Sequence, residues 1–290
     1  MDAELAGLLE RAFSTYVDVR RNGSLEPDVS YLAYDFKHWN VSSIGGHMVN
    51  DQLNELTNII NGWKSALRRW HAWNLTLEGF PDVMEAWDIR IEFLQPLVHE
   101  CLLEPSAVRD TMVFVATNAF HQLRLASDPS YPDRLAGDPT AAKPRQRFLT
   151  RPDKEIQLQS LIAGFPDAPA YMAALRSLDD EDYTHRTSDY RNRSSHALAP
   201  RIEIGQIEAI TRKVGPATQL VKNSRGTFDE VDVPGHMRVS YGFGGISPLS
   251  SEGARVANMS EFMKARQCYE FYRRLLVSAG VESFSGAQGE

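Results

Sequence analysis

The stretch "LNELTNIINGWKSALRRWHAW", Leu53 to Trp73, carries large apolar residues at the three- and four-residue spacing of an α-helix. The pattern extends at both ends and predicts one long helix from about His47 to Leu77. Its apolar positions form a single stripe: Leu53, Leu56, Ile59, Ile60, Trp63, Leu67, Trp70 and Trp73. A stripe of this width has to be covered by other helices, so the segment predicts a helical protein with its core built around it.

Helical spacing continues on both sides of this segment. A first helix is expected to begin at Asp2 as N-cap and to end near Gly23. Pro81 begins another helix, in which Pro96 introduces a kink or a split. Pro105, at a first-turn position, is expected to open a further, largely buried helix. Residues 1–127 are therefore predicted to be mainly helical.

Two segments in the second half of the chain lack the helical spacing of apolar residues. Residues 128–153 are rich in proline and aspartate and predict a mobile surface loop, with a basic run at Lys143, Arg145, Arg147 and Arg151. After Pro200 the apolar period falls to about two. Residues 203–243 are therefore expected to form a three- or four-stranded antiparallel meander. A last amphipathic helix is predicted over 251–279, after which the C-terminal tail is expected to fray.

Composition restricts the classes of function. The chain has 290 residues, is 42% hydrophobic and carries a formal net charge of −7, so any contact with nucleic acid has to be local. Cys101 and Cys268 lie in apolar, helix-like surroundings and are expected to be buried free thiols. The sequence lacks CxxC, HExxH and GxSxG spacings, and "YGFGGISP" lacks the lysine of a phosphate loop. No cofactor, metal or membrane span is expected, and the predicted location is the cytoplasm.

The segment "SDYRNRSSHALAPR", residues 188–201, concentrates groups that suit cleavage of a phosphodiester. Histidine titrates near neutral pH, so His196 can take a proton from a ribose 2′-hydroxyl or give one to the leaving 5′-oxygen. Arg191 stays charged and offers a planar fork of donors to the phosphoryl oxygens that gain charge in the transition state. On a continuous helix the two residues lie about 140° apart, whereas Asn192, Ser195 and His196 share a face.

The run "RNRSSH" resembles the signature of the HEPN superfamily: an arginine, a polar residue, a few more positions, then a histidine. The resemblance implies an up-and-down helical bundle that dimerises so that two motifs face one cleft. Many members are metal-independent endoribonucleases, found as toxins, phage-defence effectors or RNA-processing enzymes. Others are inactive binding modules. The chain is then one HEPN-like domain over 1–290, with a helical extension at 1–104 and the β structure as an insertion before the last helix.

The resemblance suggests Arg191, His196 and Asn192 as catalytic residues, and Arg193, Ser195 and Tyr190 as RNA-binding residues. RNA, a second copy held through helices near the motif, and an antitoxin or defence-complex subunit are the implied partners.

Two functions other than the nuclease remain open at this point. Arg191 can be a surface arginine paired with Asp189 or Asp182, and His196 can be a histidine favoured by the helix dipole. The chain can then be a non-catalytic interaction module, with its tryptophan-rich helix and meander as docking surfaces. A small-molecule sensor with a pocket in the bundle is the third function.

Overall fold

A computed structural model describes residues 3–35, 44–141 and 144–280. The predicted cap Asp2, the basic Lys143 and the tail 281–290 lie outside the described residues. The elements follow one another as α1 (Ala3–Asn22), α2 (Ile44–Leu77), α3 (Val83–Ile89), α4 (Gln95–Ser127), α5 (Arg151–Ile162), α6 (Ala168–Arg176), α7 (Glu181–Arg186), α8 (Tyr190–His196), β1 (Ile207–Lys222), β2 (Phe228–Ile246) and α9 (Ser251–Ser278). The protein is mainly helical with a small antiparallel sheet before the last helix, which confirms the predicted fold class.

The core lies between the three long helices α2, α4 and α9, which pack against one another. Trp63 and Trp70 of α2 are fully buried between them, and Trp73 is nearly so. Each of the first two satisfies its indole N–H inside the core, Trp63 on Asn258 and Trp70 on Ser251. The tryptophan stripe is therefore core and does not form a stacking surface for bases.

The segment from α3 to α4 is one continuous helical rod. Asp82 caps its start, and a single π-helical turn, Arg90–Leu94, joins the two helices. Pro96 lies in the first turn of α4, and Pro105 lies in the middle of that helix instead of opening a new one. The prediction of a boundary at Pro105 was therefore wrong.

Asn258 of α9 explains why the helix tolerates this proline. Pro105 has no N–H, so the carbonyl of Cys101, four residues earlier, loses its helical donor. The Nδ2 of Asn258 donates to that carbonyl at 2.7 Å. Asn258 also donates to the Tyr183 hydroxyl at 2.9 Å and accepts the Trp63 indole N–H at 2.7 Å. One fully buried amide thus joins α2, α4, α7 and α9.

The β structure is a single long hairpin, not the three- or four-stranded meander that the sequence predicts. Gly215 and Pro216, which resemble a turn, lie inside β1, and Pro216 is paired with Met237. On β2 the residues 234–236 bulge out of the ladder, and Gly235 takes a left-handed conformation there with φ of 76°. The Gly215–Pro216 pair and the Pro234–Gly235 pair, each of which resembles a turn in the sequence, therefore lie at one bulge, and both strands continue beyond it.

The loop between α4 and α5 has irregular backbone over 128–141 and 144–150, and its expected mobility stays a prediction. Arg151, which the sequence places in this loop, is the first residue of α5. Its guanidinium donates to Asp110 at 2.9 Å, to Asp179 at 2.8 Å and to Ser106 at 2.6 Å. Arg151 therefore ties α5 to α4 and to the turn before α7.

Removing the Asn258 amide should destabilise the protein strongly. Asn258→Ala leaves an indole N–H, a carbonyl and a hydroxyl buried without this partner, and we expect a loss of roughly 3 to 4 kcal/mol in the free energy of unfolding. Urea unfolding followed by circular dichroism measures the change. Gln267→Ala, which removes an exposed amide from the same helix, is the matched control. A loss below about 1 kcal/mol for Asn258→Ala would contradict the linking role.

Glu104 of α4 should make stability depend on pH. Burial, and then the neighbouring Glu100 carboxylate, raise the pKa of Glu104 from 4.5 to about 7. The unfolded chain releases this proton near 4.5 and the folded chain near 7. The contribution to stability is therefore complete below pH 4.5 and is lost as the pH rises through 7.

Glu104→Gln should remove this pH dependence and stabilise the protein at pH 8 by on the order of 2 kcal/mol. Denaturant unfolding at pH 5 and pH 8 measures both effects, with Glu92→Gln at an exposed position as the control. A pH profile of Glu104→Gln that follows the wild type would count against a perturbed Glu104.

Candidate functional site

The motif forms the short helix α8, between α7 and the hairpin. The chain reverses into it through two consecutive residues in left-handed conformation, Ser188 with φ of 53° and Asp189 with φ of 54°. The backbone N–H of Asp189 donates to the carbonyl of Thr184 at 2.7 Å, which closes the turn. Aspartate and serine are among the residues that adopt such turns through local hydrogen bonds. The turn sets the direction in which α8 leaves α7.

A network of charged groups holds the turn before α7. Lys264 of α9 donates to the Ser177 carbonyl at 3.0 Å, to Asp180 at 2.9 Å and to Glu261 at 2.6 Å. The other carboxylate oxygen of Glu261 accepts the backbone N–H of Asp179 at 2.8 Å. Burial raises the pKa of Glu261, and its two donors oppose that rise. This network fixes α7 on α9, and α8 follows from α7.

Two tyrosines anchor α7 and α8 to α4. The Tyr183 hydroxyl donates to the Leu102 carbonyl at 3.3 Å and accepts from Asn258. Tyr190, with 6% of its surface exposed, places its ring edge to face against His99 at 5.8 Å. A hydrogen bond of 3.2 Å joins its hydroxyl to Nδ1 of His99. Tyr190, which the sequence suggested as an RNA-binding residue, is thus the side chain that attaches the motif helix to the bundle.

The structure links the head of Arg191 to the side chain of Asn192 by a hydrogen bond. Arg191 donates to Oδ1 of Asn192 at 2.9 Å, and Nδ2 of Asn192 donates to Asp189 at 2.8 Å. Asn192 and His196 are four residues apart on α8, so their side chains are neighbours on one face. The two hydrogen bonds hold the guanidinium and the Asn192 amide near the start of α8, whereas His196 is the last residue of the helix. Asp189, one of the suggested partners of Arg191, is bonded to Asn192 instead.

The remaining motif residues lie at the solvent-exposed end of α8. His196 and Ser195 are exposed, and Arg193 is half-buried. His196 is the last residue of the helix. Arg191 and Asn192 are exposed as well, so every member of the Arg, Asn and His group is open to a ligand from solvent.

We also searched the described residues for metal-binding groups, reactive thiols and membrane-spanning helices. Within 3–35, 44–141 and 144–280, no group of three or more His, Cys, Asp or Glu residues is arranged to hold a metal ion. Cys101 and Cys268 are buried free thiols, as predicted, and burial raises both pKa values. None of the described helices is long and apolar enough to cross a membrane.

A polar cavity of about 390 Å³ lies beside the N-terminus of α9, and the sequence did not reveal it. His71, Glu203 and Glu252 line it together with Asn74, Glu78 and Arg90. Next to it, the nearly buried Arg255 bonds Glu252 and Glu26. Burial, and then Arg255, lower the pKa of His71, whose Nδ1 accepts the backbone N–H of Glu26 at 3.0 Å. These residues come from distant parts of the chain, so no spacing in the sequence marks them.

Comparisons of the chain with protein-family models, with curated proteins and with solved structures found no match. The resemblance to the HEPN superfamily therefore depends on the motif and its helical surroundings.

The attachment of α8 through Tyr190 can be tested directly. Tyr190→Phe removes one hydrogen bond and should cost about 1 kcal/mol, whereas Tyr190→Ala also removes the packing and should cost roughly 3 kcal/mol. Hydrogen exchange should show faster exchange of the α8 amides in Tyr190→Ala than in Tyr190→Phe. Equal exchange of these amides in both variants would mean that another contact holds the helix.

Proposed function

We propose that the protein is a metal-independent endoribonuclease of the HEPN type that cleaves RNA through attack by the substrate's own 2′-hydroxyl. The observation that supports the proposal is that α8 carries Arg191, Asn192 and His196 within seven residues, with the Arg191 guanidinium hydrogen-bonded to Asn192. All three side chains are open to solvent. A phosphate bound there would meet a fixed positive charge and an imidazole that can take or give a proton.

In the proposed reaction the 2′-oxygen attacks phosphorus and the bond from phosphorus to the 5′-oxygen breaks. His196 takes the proton from the 2′-hydroxyl and, once protonated, gives it to the leaving 5′-oxygen. Arg191 stabilises the charge that develops on the phosphoryl oxygens. Asn192 holds the guanidinium in place. The products are a 2′,3′-cyclic phosphate and a 5′-hydroxyl.

Local charge supports RNA as the substrate although the whole chain is acidic. Residues 185–201 contain four arginines and one aspartate, a formal charge of +3, whereas the chain carries −7. Arg186 is paired with Asp182 at 3.7 Å, while Arg191 and Arg193 lie on the motif helix itself. A polyanion would therefore meet a basic patch at the motif.

The biological setting proposed is that of a cytoplasmic toxin or phage-defence effector that acts as a homodimer. An antitoxin or another subunit of a defence complex would then restrain it. This setting follows from the resemblance of the motif.

Two non-catalytic functions have an observation in their favour. The exposed hairpin suits an interaction module, and the polar cavity beside α9 suits a sensor of a small polar molecule. In either case Arg191 and His196 would be surface residues. The nuclease is preferred because Arg191, Asn192 and His196 are all exposed on one short helix.

Incubation of the purified protein with single-stranded RNA in EDTA tests the proposal. Cleavage should persist in the chelator, because the nucleophile is the 2′-hydroxyl, and a DNA strand of the same sequence should stay intact. His196→Ala and Arg191→Ala should each lower the rate by roughly 10² to 10⁴. Arg191→Lys should restore part of it, because an ammonium lacks the two-pronged geometry.

His185→Ala, at an exposed histidine on the neighbouring helix α7, is the matched control and should cleave as the wild type does. The variants should melt within a few degrees of the wild type, since exposed substitutions shift stability by under about 0.5 kcal/mol. Equal cleavage by wild type, His196→Ala and Arg191→Ala would assign the activity to a contaminant or another site.

A further inference from the structure

The hairpin formed by β1 and β2 projects from the helical body. Among the described residues, neither strand makes an extended contact with any helix. Nearly every residue of β2 is exposed, and so is most of β1. An isolated two-stranded hairpin is at best marginally stable in water, because it has no second layer to bury its apolar side chains. A hairpin of this length is thus expected to be covered by another surface.

The half of the hairpin nearest the helical body is amphipathic. Cross-strand neighbours point to the same side of the sheet, and alternate pairs point to opposite sides. Four alternate pairs share one side: Ile210–Phe243, Arg212–Tyr241, Val214–Val239 and Pro216–Met237. Between them, Lys213 paired with Ser240 and Gly215 paired with Arg238 lie on the other side. We call the first side the apolar face.

The apolar face is fully open to solvent. Phe243 is 86% exposed and Tyr241 63%, values far above those of ordinary aromatic residues in a folded chain. Ile210, Val214, Met237 and Val239 are exposed as well. Six large side chains at on the order of 100 Å² each approach the roughly 800 Å² that each partner contributes to a stable interface. A contiguous patch of this size marks a contact surface.

The chemistry of the face favours protein over RNA. The strands and their turn, 207–246, contain five basic and four acidic residues, so the hairpin has almost no net charge to attract a polyanion. Four of the six large side chains are aliphatic, and these cannot stack on bases as aromatic rings do. A dry surface that packs on similar side chains is the better match.

We infer that the apolar face is the surface through which two copies of this chain associate, hairpin against hairpin. The face is complementary to itself: a two-fold axis between the second and third pairs sets Ile210–Phe243 of one copy on Pro216–Met237 of the other. The same axis sets Arg212–Tyr241 on Val214–Val239. Every pair then meets a pair that carries at least one large apolar side chain, and Arg212 is the one charged residue among the four pairs. The sequence suggested pairing through helices near the motif, whereas this surface lies on the hairpin.

Light scattering of the full-length protein at tens of micromolar tests the inference. The wild type should have twice the chain mass of 32.6 kDa. The double variant Val239→Thr with Phe243→Thr should dissociate at least 100-fold more readily, because two apolar contacts are lost from each copy. Threonine keeps the preference for strands, so loss of the hairpin itself would not explain the change. Circular dichroism should show unchanged helix content.

The matched control is the double variant Lys213→Thr with Ser240→Thr, a cross-strand pair on the opposite side at the same depth. It should remain dimeric. A monomeric wild type, or a dimer unaffected by the apolar-face variant, would overturn the inference. So would a monomer whose apolar-face variant loses affinity for single-stranded RNA. The mass does not depend on cleavage, so failure of the nuclease proposal would leave this result intact, and the reverse holds too.

Discussion

The buried amide of Asn258 is the interaction on which the arrangement of the helices depends. A proline in the middle of α4 removes a backbone donor, and the carbonyl of Cys101 is left inside the core. Asn258 supplies the missing donor, and with its two remaining groups it satisfies Trp63 and Tyr183. Such a network has to be complete, because a partly satisfied polar group in the core is costlier than an apolar one. It therefore specifies how the long helices and α7 meet.

The position of the candidate site follows from this junction. Tyr183, bonded to Asn258, begins the short helices that lead to the motif, and the cluster around Lys264 and Glu261 holds the preceding turn. Tyr190 then attaches α8 to α4. The exposed Arg191 and His196 are thus carried by a seven-residue helix whose orientation is set by buried contacts before it and at its first residue, Tyr190. A site open to solvent can be rigid in this way because its support lies in the core.

The sequence predicts the parts of the structure that depend on local periodicity. The long helices and the burial of Trp63 and Trp70 follow from the helical spacing of apolar residues. The errors lie where a distant residue decides. Nothing in the sequence near Pro105 indicates that Asn258, more than 150 residues later, donates to the carbonyl that Pro105 leaves without a partner. The hydrogen bond between Arg191 and Asn192 depends on the side-chain rotamers, which the sequence does not specify. The cavity beside α9 is lined by residues from four separate segments of the chain. In the hairpin, the residues that resemble two further turns lie at one bulge opposite Pro216, so two long strands form where the sequence predicts three or four short ones.

The base of the hairpin is closed within the helical body, so the hairpin and the body can be altered independently of each other. Ile202, before the first strand, forms a parallel bridge with Leu249, after the second, and both residues are buried in the helical body. The two ends of the insertion are therefore held side by side whatever lies between them. Length, sequence and register of the arm can vary without disturbing α8 or α9. A change within the arm can thus alter the surface that the hairpin presents without altering how the helical body is packed.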